Sequence, residues 1–343
     1  MVSGLGYYQF RVLANPDLFL QLQFFQFGIV ALFIVALLSR PQREFKDRYC
    51  GWLLAICFLS VFIHTKSVLL FWNILLGFIL YYLVVIYTKN IKKILWAVIS
   101  VSALNSVFAV IQFINTANRV DGLMRISNHL GIYQAMALPI SYLMNPYLII
   151  IPLAGLLLAK NITAFCAGIV GMVYLLRKKF TVGIMWRFLS ISVLILFTAK
   201  NFKPILYKFL VRWEIWREAI NNILQKWQWG YGIGGFQFYK AGLGQSANPY
   251  NLYLQVFYFL GIFGLPVFLF FLVDKFLNYK DKTARALFAS FLIILTAGLA
   301  QCVLDFPRLA GTIIVLTAFL TIKKTEEEYR KGVLQNGARE IKI

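Results

Sequence analysis

The sequence is poor in acidic residues, in histidine and in cysteine. Its 343 residues include 34 lysines and arginines but only 13 aspartates and glutamates, 2 histidines and 4 cysteines. The cysteines lie in or beside apolar segments, at Cys50, Cys57, Cys166 and Cys302. Because they show neither CxxC spacing nor a nearby His/Asp cluster, they are interpreted as small core side chains, not as disulfides or metal ligands.

Other familiar signals are absent as well. The N-terminus lacks a basic segment followed by a short apolar core and a small-residue cleavage site, so no removable signal peptide is expected. No fixed-period repeat or low-complexity tract is visible, and residues 1–343 are expected to form a single integral membrane domain. The net charge of +21 is spread over short clusters between apolar runs. It therefore does not indicate nucleic-acid binding.

Apolar residues are abundant, and they predict an all-α, polytopic transmembrane helix bundle. They make up 60% of the chain, whose mean hydropathy is +0.73, and they form runs of bilayer-spanning length. About eleven spans are expected, near residues 18–38, 50–64, 68–88, 94–114, 127–144, 147–159, 162–176, 184–199, 252–273, 284–303 and 309–322. The pair from Tyr147 to Leu176 is ambiguous, because Lys160-Asn161 is either a hairpin tip or a break inside one tilted span.

The distribution of basic residues orients these spans. Cytoplasmic loops are enriched in lysine and arginine, and most of the 34 basic residues fall on one face, within 40–48, 89–93, 177–187, 275–285 and the tail. The chain is therefore expected to be multi-pass, with its N-terminus outside and residues 323–343 as a cytoplasmic tail. Residues 200–251 become an extracytoplasmic loop.

This loop contains an amphipathic pattern between Lys208 and Gln228. Apolar residues recur there at three- and four-residue steps, while polar residues lie largely opposite. The apolar set is Leu210, Trp213, Ile220, Ile223, Leu224 and Trp227, and the polar set is Arg217, Glu218, Asn221 and Asn222. The pattern predicts a helix at the membrane interface, where tryptophan is favoured. Such a helix either covers the bundle as an anchor or forms part of a site.

Two arginines of this helix have different neighbours. Arg217 follows Glu214 at the spacing of a local ion pair. Arg212 has no carboxylate at helical spacing and shares a face with Trp216 and Ala219. Because a guanidinium fork suits phosphate oxygens, Arg212 is the stronger candidate to bind an external anion.

Glycines follow the helix, at Gly230, Gly232, Gly234 and Gly235. No strand precedes them, so they do not indicate a dinucleotide fingerprint. They predict a tight return of the chain or, alternatively, a close approach of backbone amides to a phosphate. Further on, Gly261 and Gly264 are expected to break or thin the helix that starts after Asn248–Asn251.

A second polar group precedes the span at 127–144. It contains Arg119, Gly122, Arg125, Asn128 and His129. Four outward cations from separate loops, Arg125, Lys160, Arg212 and Arg308, are candidates to converge on one anion. The alternative interpretation is ordinary solvated surface charge.

Three motifs in these segments, in this order, together resemble those of the O-antigen ligase and O-antigen polymerase family of the bacterial envelope. They are R-x-x-G-x(5)-N at Arg119, Gly122 and Asn128; R-x-x-x-W-x-x-A with G-x-G-G-F at Arg212, Trp216, Ala219, Gly232, Gly234 and Phe236; and Y-N-x-x-L-Q with G-x-x-G at Tyr250, Asn251, Leu254, Gln255, Gly261 and Gly264. The similarity covers roughly residues 105–300.

The resemblance implies a GT-C-like bundle in the inner membrane and a glycosyltransferase of cell-envelope polysaccharide biosynthesis. Its donor would be an undecaprenyl-pyrophosphate-linked glycan, its acceptor a glycan or lipid, and its surroundings membrane lipid. The residues implied to bind substrate are Arg119, Arg125, Asn128, Lys160, Trp216, Arg217 and Asn251. The pyrophosphate leaving group is already anionic, so charge stabilisation by arginines such as Arg212 serves it. With few outward acids and no paired acidic motif, a metal-independent reaction without a cofactor is expected.

The sequence leaves the identity of the catalytic base open. Family members usually carry histidine where this chain has Tyr250, and an unperturbed tyrosine, with a pKa of about 10, is a poor base near neutral pH. Either Tyr250 acts with the help of nearby arginines, or His129 replaces it, or no base is needed, or catalysis has been lost.

Two other functions compete with glycan transfer. One is membrane transport, against which the apolar spans carry almost no ionisable residue near the bilayer midplane. The other is an inactive protein that only binds the lipid carrier. Within the transferase reading, a polymerase is favoured over a ligase, because nothing in the sequence marks a lipid A core acceptor.

Overall fold

The structure, a computed structural model, describes residues 47–63, 68–116, 120–124, 126–177, 199–232, 236, 238–240, 244–246, 248–276, 279–302 and 307–340. These residues form ten α-helices and one short antiparallel hairpin, which confirms the all-α class for this part of the chain. The helices are α1 (Arg48–Ile63), α2 (Val68–Tyr87), α3 (Ile91–Thr116), α4 (Ser127–Met144), α5 (Ile150–Leu158), α6 (Ile162–Leu176), α7 (Ala199–Gln225), α8 (Leu252–Val273), α9 (Lys282–Gly298) and α10 (Pro307–Glu340). The hairpin pairs β1 (Phe238–Lys240) with β2 (Gly244–Ser246).

The helix boundaries follow the apolar runs of the sequence. The bounds of α4, α6 and α8 coincide with the runs at 127–144, 162–176 and 252–273. Two helical segments are long and apolar enough to cross a membrane, Ile91–Asn115 and Leu252–Val273. Shorter apolar segments cover Tyr49–Ser60, Ile74–Tyr87, Pro146–Leu158 and Ile162–Leu176. The shorter segments have fewer than the roughly 20 residues that a span requires. The runs near 18–38 and 184–199 lie almost wholly outside the described residues. The expected count of about eleven spans is therefore not confirmed.

At Lys160-Asn161 the chain turns between two separate helices, which agrees both with a hairpin tip and with a break inside one span. A turn at Ala159 and Lys160 separates α5 from α6, and Lys160 takes a left-handed backbone conformation with φ 48°. The Asn161 side chain then caps α6, because its Oδ1 accepts from the Ala164 N–H at 3.2 Å. Asparagine is a preferred residue at a helix start.

The core lies where α4 and α6 pack on α9. Leu130, Ile132, Leu287 and Ile293 are buried there among small alanines, which let the helices approach closely. Of the cysteines, Cys50, Cys57 and Cys302 are buried and Cys166 is partly buried, and all four are free thiols. The interpretation as small core side chains is confirmed for the three buried cysteines.

A polar cluster lies inside the bundle between α3, α4 and α5. The Gln134 amide accepts from the Ser102 hydroxyl at 2.5 Å and donates to the Ser106 hydroxyl at 3.2 Å. Ser106 in turn donates to the Ile151 carbonyl at 2.8 Å. Because these neutral groups are paired with one another, the fully buried glutamine is tolerated in an apolar interior.

A charged cluster around Lys275 connects α1, α2, α8 and α10. Lys275 is fully buried, and its Nζ donates to Asp47 Oδ2 at 2.6 Å and to Asp274 Oδ2 at 3.1 Å. The Tyr81 hydroxyl also donates to Asp47, at 2.5 Å, and lies 2.6 Å from the Thr321 hydroxyl. Each buried charge therefore has an opposite charge beside it, as burial requires.

Helix α10 continues past the expected end of the last span at 322. It reaches Glu340, and its first residues beyond 322 contact the segment that links α8 to α9. Lys324 donates to Asp274 at 2.5 Å, and Glu327 accepts from the backbone N–H groups of Lys280 and Asp281 at 2.9 and 3.2 Å. The tail predicted from 323 thus begins as a helix held against the bundle.

Candidate functional site

Helix α7 packs against α8 through one apolar face. Ile215, Ala219 and Ile223 are buried there with Phe236 and Tyr258. The residues Leu210, Trp213, Ile220, Leu224 and Trp227 are exposed instead. The prediction of one apolar stripe is therefore wrong for Ile223, which belongs to the face that contacts α8. One apolar face of α7 is covered by α8 and the neighbouring one is exposed. Helical periodicity in the sequence shows both as a single stripe, because it carries no information on which neighbour covers each face.

The chain after α7 inserts into a break in α8. Gly261 has φ 63° and ψ −161°, which interrupts the helix from within. The carbonyls of Tyr258 and Phe259 accept from the N–H groups of Tyr231 and Gly232 at 2.8 and 3.1 Å, and the Ile262 N–H donates to the Trp227 carbonyl at 2.8 Å. Residues 227–232, here called the wedge, thus satisfy the backbone groups that the break exposes, as an apolar environment demands.

Glycine is required on both sides of this joint. Gly230 has φ 71°, and a Cβ there would lie 2.7 Å from the carbonyl oxygens of Tyr258 and Phe259. A Cβ on Gly261 would collide with the Gln228 carbonyl. The predictions of a tight chain return at Gly230 and Gly232 and of a helix break at Gly261 are confirmed. Gly234 and Gly235 lie outside the described residues.

The wedge brings Arg212 of α7 to Tyr250, just before α8. The guanidinium carbon of Arg212 lies 5.8 Å from the centre of the Tyr250 ring. This is the distance of a cation–π contact, in which the ring face attracts the positive charge. Both side chains are half-buried. Two of the three residues predicted to act in catalysis, Arg212 and Tyr250, are therefore neighbours.

Tyr250 is held by the asparagines on either side of it. Its φ of 49° is unusual for a residue with a Cβ, and its N–H donates to Asn248 Oδ1 at 3.1 Å. Asn251 caps α8, accepting from the N–H groups of Tyr253 and Leu254, each at 3.0 Å. Strained backbone of this kind is often kept where a side chain has to point in a set direction for function.

The remaining residues of α7 divide into a paired arginine and a buried donor. Arg217 forms the local ion pair that its spacing predicted, with 2.7 Å between its Nη2 and Glu214 Oε2. Trp216 lies one turn after Arg212, and within the described part of the chain its buried indole Nε1 has no hydrogen-bond partner. A buried N–H without an acceptor is costly, which makes this atom a candidate donor to a ligand.

Hydrogen bonds from asparagine and glutamine side chains connect the helix ends near Tyr250. Asn251 Nδ2 donates to the Leu299 carbonyl after α9 at 2.8 Å. Gln301 Nε2 donates to Asn161 Oδ1 at 3.1 Å, and Asn161 Nδ2 donates to the Asn128 carbonyl at 3.0 Å. The starts of α4, α6 and α8 thus meet the end of α9. Asn128 and Asn251, both predicted to bind substrate, lie on this shared frame.

Of the other predicted cations and bases, the structure describes Lys160 and His129. Lys160 is exposed at the turn before α6, with its Nζ 5.6 Å from the centre of the Phe113 ring. His129 lies in the first turn of α4 with its Nδ1 buried. Arg119 and Arg125 lie outside the described residues, as does the side chain of Arg308. The convergence of these cations on one anion stays a prediction.

Sequence reasoning missed Asn161 and Gln301 as members of this frame. Asn161 opens an apolar helix after a lysine, which is a recognisable capping position. Gln301 is a single amide between apolar residues, and such a residue in a predicted span signals a buried hydrogen bond. In the described ranges, no group of three or more His, Cys, Asp or Glu side chains is placed to hold a metal ion.

No family model matches the sequence, and no curated protein matches it significantly. The resemblance to O-antigen ligases and polymerases therefore rests on the three motifs, of which the second and third meet at the Arg212–Tyr250 contact.

Proposed function

We propose that this protein transfers or polymerises an undecaprenyl-pyrophosphate-linked glycan at the outer face of the cytoplasmic membrane. The observation that carries the proposal is the contact between Arg212 and Tyr250. It joins a cation suited to a pyrophosphate with a hydroxyl in the position where the resembling family has its base. Two helices of bilayer-spanning length support a membrane location for this chemistry.

In the proposed reaction the glycan moves from one oxygen to another. The bond between the anomeric carbon and the phosphate oxygen breaks, and the undecaprenyl pyrophosphate leaves with the electron pair. A bond from the anomeric carbon to the acceptor hydroxyl oxygen forms, and the proton of that hydroxyl passes to the base. The protein has to stabilise the growing negative charge on the leaving group and position the acceptor.

Arg212 is assigned to the leaving group. It is mounted on α7, whose buried face is fixed against α8, so its guanidinium is held with little freedom. The guanidinium lies over the Tyr250 ring, and a planar guanidinium carries N–H donors in the forked geometry that suits phosphate oxygens. The Trp216 indole N–H, one turn along the same helix, is assigned as a second donor to the pyrophosphate.

Tyr250 is assigned to the acceptor. Its N–H donates to Asn248 Oδ1 and the following Asn251 caps α8, so the backbone that carries the ring is fixed where the ring lies beside Arg212. Tyr250 is preferred to His129 because Tyr250 is the residue that contacts the Arg212 side chain.

The proposal is tested by replacing Arg212 with alanine in a host that makes the corresponding surface glycan. We expect glycan chain length on a gel to collapse, with a rate loss of roughly 100- to 1,000-fold, since an electrostatic group at a developing charge is removed. The matched control is Lys226→Ala, which removes one exposed positive charge that lies 4.9 Å from the centre of the Tyr231 ring, just past the end of the same helix.

Binding of the carrier lipid separates an enzyme from a carrier-binding protein. Undecaprenyl pyrophosphate is added to the purified protein in detergent, and retention is measured by native mass spectrometry. Weaker binding in Arg212→Ala together with a loss of polymer supports transfer. Weaker binding with an unchanged surface glycan would show that the protein holds the carrier without acting on it, and unchanged binding and glycan would refute the proposal.

A further inference from the structure

Helix α7 presents three distinct faces between Tyr207 and Gln225. One face packs on α8 and carries Arg212. The second is apolar and exposed, and the third is polar and exposed. At 100° per residue these faces follow one another around the helix, so the apolar stripe lies between the face on α8 and the polar face.

The exposed apolar face, here the lipid stripe, consists of large side chains. Its members are Leu210, Trp213, Ile220 and Leu224 on α7, together with Trp227 of the wedge just past the helix end. Leu224 is 68% exposed and Trp213 53% exposed. A contiguous apolar surface of this kind is rare on a face turned to water and marks a contact with a membrane or a partner. Two of its five members are tryptophans, the residue type most enriched at the boundary between lipid and water.

The lipid stripe continues onto a helix that is itself long and apolar enough to cross a membrane. Trp229 in the wedge packs on Phe263 of α8, with 5.1 Å between the ring centres. Phe263 and its neighbour Ile262 are exposed. Because α8 belongs to the two helices that meet the length and hydropathy requirement, the surface shared by α7 and α8 is continuous with a lipid-facing one.

The polar face sets the other boundary. Glu214, Glu218, Asn221 and Gln225 lie along it, and the Asn222 amide donates to Glu218 at 3.4 Å. Arg217 stands where the lipid stripe meets the polar face, and it reaches across to Glu214. A long side chain with a charged tip suits such a border, since its stem is apolar and its head stays in water.

We propose that α7 lies along the membrane surface, with the lipid stripe inserted among lipid headgroups and upper acyl chains. With 27 residues the helix is long enough to cross a bilayer, yet it is not among the helices apolar enough to do so. An exposed apolar stripe beside an exposed polar face favours lying in the surface over crossing it. The lipid bilayer is the occupant of this face, and Arg212 on the neighbouring face is held at the level of the headgroups.

The test reads the surroundings of two adjacent positions on α7. Cysteine is introduced as Ile220→Cys on the lipid stripe and as Asn221→Cys on the polar face, since both positions are exposed. Each full-length variant is labelled with a fluorescent maleimide and reconstituted in phosphatidylethanolamine–phosphatidylglycerol vesicles. Quenching by lipids with a spin label near the headgroup is compared with quenching by aqueous iodide. The unsubstituted protein gives the background from the native cysteines, three of which are buried.

We expect the label at 220 to be quenched several-fold more by the lipid than by iodide, and the label at 221 to show the reverse. Equal iodide quenching at both positions would place α7 in water and overturn the proposal. Shielding of position 220 from both quenchers would assign the face to a protein partner or a second copy, and would overturn it as well. No glycan is present in this experiment, so its outcome does not depend on the proposed transfer reaction.

Discussion

The guanidinium of Arg212 lies 5.8 Å from the centre of the Tyr250 ring, although a helix end, a glycine-rich return and a hairpin separate the two residues in the chain. The contact exists because the wedge fixes α7 against the broken part of α8 through backbone hydrogen bonds. Side-chain chemistry at the candidate site therefore depends on a joint that contains no functional side chain.

Tyr250→Phe distinguishes the contribution of the Tyr250 hydroxyl from that of its ring. The phenylalanine keeps the aromatic face for the Arg212 guanidinium and removes only the oxygen. If the phenolic oxygen takes the proton of the acceptor hydroxyl, the rate of glycan transfer should fall by roughly 100-fold or more, the usual contribution of a general base. Glycan chain length on a gel and carrier binding to the purified protein are the two measurements, and carrier binding should be unchanged.

Tyr250→His is the complementary variant. An imidazole has a pKa near 6.5 and is a better base at neutral pH, so we expect Tyr250→His to retain or exceed the wild-type rate. Tyr250→Leu removes both ring and oxygen and should weaken carrier binding too. Full activity of Tyr250→Phe would assign Tyr250 to the support of Arg212 alone.

Gly261→Ala should disrupt the joint between α7 and α8. The added Cβ collides with the Gln228 carbonyl, and the backbone conformation with φ 63° is unfavourable for alanine. We expect a loss of about 1–3 kcal/mol in unfolding free energy, the usual magnitude of backbone strain, and a lower activity because Arg212 moves relative to Tyr250. Thermal unfolding in detergent and the glycan gel measure the two effects.

Gly51→Ala is the matched control for that substitution. Gly51 lies in α1, and apart from the adjoining helix backbone no atom stands within 4 Å of where its Cβ would be. Alanine is the better helix former, so the variant should be neutral or more stable by up to about 1 kcal/mol. Equal stability of both variants would contradict the close approach at the joint.

Helix boundaries were predictable from the sequence because they follow local patterns. The runs at 127–144, 162–176 and 252–273 are bounded by polar or turn residues, and the helices end where those residues stand. The break at Gly261 was also predictable, since glycine tolerates backbone conformations closed to other residues. The local ion pair of Arg217 with Glu214 follows from helical spacing alone.

Features that depend on contacts between distant segments were not predictable. Ile223 and Leu224 are adjacent apolar residues, and only the position of α8 decides that the first is buried and the second exposed. The Gln301–Asn161 hydrogen bond joins residues far apart in the chain. Similarly, α10 continues beyond 322 because Asp274 and the backbone of Lys280 and Asp281 bind its charged side chains.

Lys275→Met should destabilise the protein strongly. It leaves the Asp47 carboxylate buried without its cation, and removing one partner of a buried ion pair usually costs about 3–5 kcal/mol. The matched variant Lys324→Met breaks a pair that is partly exposed to solvent, and should cost about 1 kcal/mol or less. The midpoint of unfolding in a denaturing detergent measures both.

A second substitution shows whether the unpaired charge is the cause. Asp47→Asn keeps the oxygen that accepts from the Cys50 N–H at the start of α1 and removes the charge. The double variant Asp47→Asn/Lys275→Met should therefore be more stable than Lys275→Met alone. If the double variant is the less stable of the two, lost packing and not the uncompensated carboxylate explains the effect of Lys275→Met.

The stability of the protein should depend on pH in the acid range because of Asp274 at the end of α8. Burial by itself raises the pKa of this carboxyl, but the hydrogen bond from Lys324 and the charge of Lys275 outweigh it, and the pKa is lowered from its ordinary value of 3.8. A carboxyl with a lowered folded-state pKa stabilises the protein fully above its unfolded-state pKa. That contribution is lost as the pH falls through the folded-state value, because the unfolded chain then binds the proton first.

Unfolding temperature in detergent, measured from about pH 6 down to about pH 2.5, should therefore fall mainly below about pH 4. Asp274→Asn should lower it at pH 6 and flatten the acid decline, since the proton-binding difference at this site is gone. Lys324→Met should have a smaller effect in the same direction, because Lys275 still contacts Asp274. An acid decline of unchanged steepness in Asp274→Asn would mean that other carboxyls account for the sensitivity, and that the contact between α10 and the end of α8 does not depend on this charge.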